Sequence, residues 1–220
     1  MKRPAIAFAL LLLLVGAAAA SAGTDPHAER VRLNAADTAF ARRITLHRAD
    51  LTPGWKQVAS PSDDGERLSC SYFDPDFSAF TITGKATTSF SHPSGGTVVS
   101  RIEVYASRAD AVGDFRLGAR PAGVRCLRTS LARELAGPAS NGVKMTVRTS
   151  RMLAAPHVGE RSIAFRIVAE IGTRAQHVPI YLDVLAAQRG RSITMLLFAA
   201  LNRPITGQAT LARLVDTRAR

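Results

Sequence analysis

The spacing of apolar residues changes along this chain, and each change marks an element. Behind Asn34, whose side chain can cap a helix, Leu33, Ala36, Phe40 and Ile44 recur at helical spacing. They predict a helix over Ala35–His47, with Arg42, Arg43 and Arg48 on its wet face. Pro53-Gly54 then forces a turn, and Trp55 opens an extended stretch. Thr97 to Ser107, with Val98, Ile102 and Val104 among β-branched neighbours, reads as a strand preceded by a loop tip at Gly95-Gly96. Ser107 with Asp110 three residues on predicts a capped helix start, with Ala109, Val112 and Phe115 inward. Gly118 and Pro121 interrupt it. Val124, Leu127, Leu131 and Leu135 then form the stripe of another helix, closed by Gly137-Pro138.

Beyond this point the period drops to two. Val143–Val147, Arg161–Ile171, His177–Gln188 and Arg191–Leu201 alternate or run apolar, and the last two are joined by a short turn through Gly190. Strands with such turns predict an antiparallel meander. Its last member carries large side chains on both faces (Ile193, Met195, Leu196, Leu197, Phe198), as a central strand should. A final helix from Thr206 to Arg218 has Leu211, Leu214 and Val215 to pack back. The expected fold is α+β, an antiparallel sheet packed against segregated helices, in one domain over residues 23–220.

The first 22 residues stand apart. Lys2 and Arg3 precede the apolar run Ala5–Val15, and small residues end in Ala20-Ser21-Ala22. This order predicts a secretory signal peptide cleaved after Ala22 and an extracytoplasmic mature protein. A retained membrane anchor is the alternative, since Gly16–Ala20 could lengthen the run toward a span.

Charge adds a class of partner. The formal net charge is +12, and arginine supplies all but four of the 29 basic residues. An anionic envelope surface is a possible partner. Nucleic acid is not, because the arginines are scattered among acids and the chain leaves the cytoplasm.

Export also decides what Cys70 and Cys126 can be. In an oxidising compartment two lone cysteines are expected to pair, and neither Cys-x-x-Cys nor a zinc ligand set is present. Cys126 falls roughly 140° from the apolar stripe at ~100° per residue. The helix is therefore expected to begin near Leu127; the alternative is a bridge reaching its outer side. Asp74 and Asp76 flank Pro75 beside Cys70, where they could form a calcium site with Asp63, Asp64 and Glu66, or an acid/base pair. Asp-Pro more often opens a turn, and turn duty is the expectation here. The histidines, His27, His47, His92, His157 and His177, are isolated from one another, and most read as surface residues. No nucleophile elbow, phosphate-binding glycine loop or Ser-x-x-Lys occurs. No catalytic, metal-binding or cofactor-binding residue is assigned, and no cofactor is expected.

Several stretches together resemble a known family. "ADLTPGW", Cys70, "VVSRIEVYASRADAVGDF", Cys126-Leu127, and "VGERSIAFRI" with two strands and a last helix are similar to the extracellular sensor domain of PknH-type bacterial receptor kinases and its free-standing secreted relatives. The resemblance implies an α+β domain with a disulfide and a cleft that binds a ligand without transforming it. Only Cys70 and Cys126 carry over, and the second cysteine pair common in such domains is missing. The reading is a non-enzymatic binding or sensor-like protein holding an apolar or amphipathic molecule, such as a lipid, between sheet and helices. Its alternatives are an envelope hydrolase with a dispersed site and an interaction protein on an anionic surface.

Overall fold

A computed structural model describes residues 25–60, 69–135, 144–172 and 177–220. The elements in chain order are β1 (Arg30–Val31), α1 (Ala35–Ile44), a 3-10 turn (Arg48–Asp50), β2 (Lys56–Val58), β3 (Thr81–His92), β4 (Gly96–Tyr105), α2 (Arg108–Gly118), α3 (Pro121–Leu135), β5 (Lys144–Leu153), β6 (Arg161–Gly172), β7 (His177–Arg189), β8 (Ser192–Leu201) and α4 (Gln208–Arg218). One eight-stranded sheet runs β1-β3-β4-β8-β7-β6-β5, with β2 also on β3. Every pairing is antiparallel except β1 with β3. The fold class is α+β as expected, and the helices divide between the two sheet faces.

On one face lie α1 and α4. Ala41 and Ile44 of α1, with Ala212 and Val215 of α4, pack on Phe90, Val98, Ile102, Leu185, Leu196 and Phe198, all buried. Four arginine–aspartate pairs lace this layer. Arg191 binds Asp37 of α1, Arg218 binds Asp50, Arg166 binds Asp183, and Arg189 binds Asp216 of α4, each through two nitrogens. Gln208 at the start of α4 also donates to Asp183 at 2.6 Å. Four of the 25 arginines thus serve as internal bracing in the fork geometry suited to carboxylates.

On the opposite face α3 sets Val124, Leu127 and Leu131 against Phe165, Ile167, Leu182 and Val184. Ala111 of α2 meets Ile82 and Tyr105. Asn34 caps α1 as predicted, accepting from Asp37 N at 2.8 Å. Leu33 lies outside the helix and is exposed. The inner face of α2 is Ala111 and Phe115, whereas Ala109 is exposed. The correction at α3 is larger: it starts at Pro121, not near Leu127. Proline needs no amide partner in a first helical turn, so it opens this helix rather than breaking the previous one. Gly137-Pro138 lie outside the described residues.

Strand β3 is the element that the hydrophobic pattern does not reveal. Its α1-side positions Gly84 and Ala86 are small because α1 crosses there. A β-carbon on Gly84 would come within 2.4 Å of the Asp37 backbone. Gly84→Ala should therefore lower unfolding stability by about 1–3 kcal/mol, as overpacking does. Urea unfolding midpoints check this, and an unchanged midpoint would mean that α1 yields freely.

Candidate functional site

Strand alternation assembles a charged cluster at the α2 end of the sheet. Along β4, Arg101, Glu103 and Tyr105 recur every second residue and so share one face. The β3–β4 register sets Lys85 opposite Glu103. Helix α2 is fixed over them by its cap: Ser107 Oγ accepts from Asp110 N at 3.0 Å, and Asp110 Oδ2 accepts from Thr81 N at 3.1 Å. That placement brings Asp114 to Tyr105, while the chain leading into β1 brings Glu29 within the field of Glu103.

Within the cluster, Arg101 Nη2 donates to Glu103 Oε1 at 2.8 Å, and Lys85 Nζ lies 3.7 Å from the same oxygen. Tyr105 Oη meets Glu103 Oε2 at 3.2 Å and also Asp114 Oδ2. A single phenol proton cannot serve two carboxylates. A proton on Asp114 resolves this by letting Asp114 donate to Tyr105 while Tyr105 donates to Glu103. The electrostatics agree. Burial, reinforced by Glu103 and Glu29, pushes Asp114 up to about 7 against the hydrogen bond from Tyr105. Burial also raises Glu29. For Glu103 burial works the same way, yet Arg101 and Lys85 outweigh it and keep the group below its ordinary value. Burial and the two neighbouring carboxylates lift Tyr105 well above the usual phenol range. As pH falls through about 7 the cluster therefore takes up a proton at Asp114, shared with Tyr105. Among the described residues no group of three metal-ligating side chains occurs.

Next to this cluster the sheet is covered unevenly. On β8 the side chains toward α1 and α4 (Ser192, Thr194, Leu196, Phe198) are all buried. Those toward α2 and α3 (Ile193, Met195, Leu197) are only half-buried. Strand β4 repeats this, with Val98, Ser100, Ile102 and Val104 buried but Thr97, Val99, Arg101 and Glu103 half-buried. Register places Met195 opposite Arg101 and Leu197 opposite Val99. Ser89, across from Val99, is 2% exposed, and its hydroxyl has no hydrogen-bond partner. By contrast, the cavity beneath α4, lined by Leu185, Leu196, Ala212 and neighbours, measures about 10 Å³, room for a single water.

The residues singled out in the sequence lie elsewhere. Cys70 and Cys126 form a disulfide with Cα atoms 5.9 Å apart. Cys126 is fully buried and sits within α3, so the bridge joins the helix from the side away from its apolar stripe. The strand-like contact Cys70–Phe73 brings Phe73 against Gly123 of α3. Asp74 and Asp76 are exposed; Asp76 accepts from Ser78 N at 2.8 Å, a turn role. Asp63, Asp64 and Glu66 lie outside the described residues. His27, His47, His157 and His177 are exposed, and His92 stacks beside Trp55 at 5.3 Å. None joins the charged cluster. Sequence reasoning missed the cluster, although Arg101, Glu103 and Tyr105 at every second position signal one strand face.

No protein-family model matches the chain, and no curated protein matches it significantly. Solved structures similar to it include the following two. The extracellular domain of PknH from Mycobacterium tuberculosis shares 12% identity over 62% of this chain, with a TM-score of 0.38. This chain spans 64% of that domain's length. An uncharacterised protein from Mycobacterium smegmatis, an ortholog of Rv0999, shares 9% identity over 83% of this chain and 96% of its own, with a TM-score of 0.42. PknH, whose sensor domain the sequence resembles, is thus among the proteins of solved structure that this chain is similar to.

Asp114 generates a pH prediction. Its folded-state value, about 7, lies above the ordinary 3.8, so the folded protein binds the extra proton between them. Stability should fall as pH rises from about 4 to about 7 and then level off. Asp114→Asn removes that titration, so the slope in this window should flatten in thermal melts across pH. Superimposable slopes for both proteins would contradict the shared proton.

Proposed function

We propose that the protein is an exported, non-catalytic, sensor-like binding domain, and that an amphipathic molecule lies on the α2/α3 face of its sheet. The observation that carries this reading is the uneven cover of β4 and β8. Half-buried Val99, Met195 and Leu197 offer an apolar floor, and Arg101, Lys85 and Glu103 border it at one end. Pockets are usually built this way, apolar walls with few polar groups. The lone Ser89 hydroxyl adds support, because a buried polar atom without a partner costs about 1–3 kcal/mol unless something meets it. The cavity under α4, with room for a single water, is too small for such a molecule and speaks for this face rather than the other. The disulfide fits the oxidising compartment that the N-terminal pattern implies.

Non-catalytic binding rests on how the cluster is engaged. Glu103 is held by Arg101, Lys85 and Tyr105, and Asp114 is turned onto Tyr105, so neither carboxylate is presented to a substrate. The hydrolase alternative would need one of them turned toward the floor.

Lipid extract from the host envelope should raise the melting temperature, and Val99→Arg, which lays a charge across the floor, should abolish the rise while leaving the unliganded melt close to the parent. Ligand at one hundred times its Kd would stabilise by about 2.7 kcal/mol. No shift with any extract, or an equal shift in Val99→Arg, would remove this reading.

A further inference from the structure

We infer that the outer side of α3 together with edge strand β5 is a docking face for an anionic lipid bilayer, independent of the proposed ligand site. Two of the four large apolar side chains most exposed among the described residues lie here, Tyr72 at 42% and Met152 at 48%. Side-chain contacts across α3 and β5 join them into one surface. Tyr72 lies under the Arg125 guanidinium, 4.0 Å from ring to Cζ, and donates to Thr129 Oγ1 at 3.2 Å. One turn along, Arg128 Nε donates to Ser150 Oγ of β5 at 2.6 Å, and its Nη2 binds the Ser150 carbonyl. Met152, two residues beyond Ser150 and on the same face of β5, is exposed.

Charge identifies the occupant. Arg125 and Arg133 are exposed and have no carboxylate partner among the described residues, unlike the arginines braced on the α1/α4 face. Between Arg125 and Arg133 the outward positions are Thr129 and Ala132, short side chains that leave the helix flank low and flat. A flat cationic face with an amphipathic tyrosine and a methionine suits phosphate headgroups above an apolar layer. Guanidinium forks match phosphate oxygens directly. A protein partner of this charge would need an acidic surface of its own, which the test below separates.

Protein recovered from the host is mixed with vesicles of equal parts phosphatidylglycerol and phosphatidylcholine, or of phosphatidylcholine alone, and sedimented. Binding should require phosphatidylglycerol and weaken with salt. Arg125→Glu with Arg133→Glu should weaken it at least tenfold, since each basic residue near such a surface contributes about 1 kcal/mol. Arg30→Glu with Arg32→Glu, on the exposed β1 edge, should leave it within about twofold and serves as the net-charge control. Equal losses in both variants would show attraction by net charge alone and overturn the assignment. So would binding that ignores phosphatidylglycerol, or capture of an acidic protein by a face that ignores vesicles.

Discussion

Strand β8 is apolar on both faces, and a central strand of that kind obliges the chain to cover the sheet twice. Leu196 and Phe198 point one way, Met195 and Leu197 the other. Helices α1 to α4 answer unequally. Helices α1 and α4 seal one side to nearly complete burial, whereas α2 and α3 sit toward the two ends of the other and leave its middle half-covered. The proposed function follows from that inequality. At a transfer value of about 25 cal/mol per Å², apolar surface left half-exposed is stabilisation still available to a ligand.

The sealed side shows how an arginine-rich chain can build a tight layer. Each of its aspartates faces a guanidinium fork: Asp37 with Arg191, Asp50 with Arg218, Asp183 with Arg166, Asp216 with Arg189. The hydrogen bond from Arg191 is the main reason that Asp37 drops to about 2. At Asp50, burial opposes ionisation, but Arg218 prevails and the group is lowered. Both contributions are fully present above the ordinary carboxylate value and disappear in acid, the reverse of Asp114, whose contribution is largest in acid. Asp37 and Asp50 on one face thus respond to pH in the opposite direction to Asp114 on the other.

Much of this was legible in the sequence, and the exceptions have physical causes. The Asn34 and Ser107 caps, the β6–β7–β8 meander and the Cys70–Cys126 pair each rest on local chemistry that a linear pattern carries. Strand β3 is hidden because its inward positions are Gly84 and Ala86, small so that α1 can approach, which erases the expected alternation. Helix α3 was misplaced because Pro121 reads as a breaker when its role is to start a helix. The charged cluster draws on Glu29, Lys85, Glu103 and Asp114 from four separate segments, and only a register that includes β3 brings them together. Asp74 and Asp76, adjacent in sequence and conspicuous there, end as exposed turn residues.

The central claim, that the half-covered face holds a molecule in the cell, is tested most directly by native mass spectrometry of protein purified gently from its own host. A bound amphipathic molecule should appear as a discrete mass added to the polypeptide, disappear on denaturation, and be absent from protein carrying Val99→Arg. The polypeptide mass alone, in preparations shown to be folded and disulfide-bonded, would contradict the account.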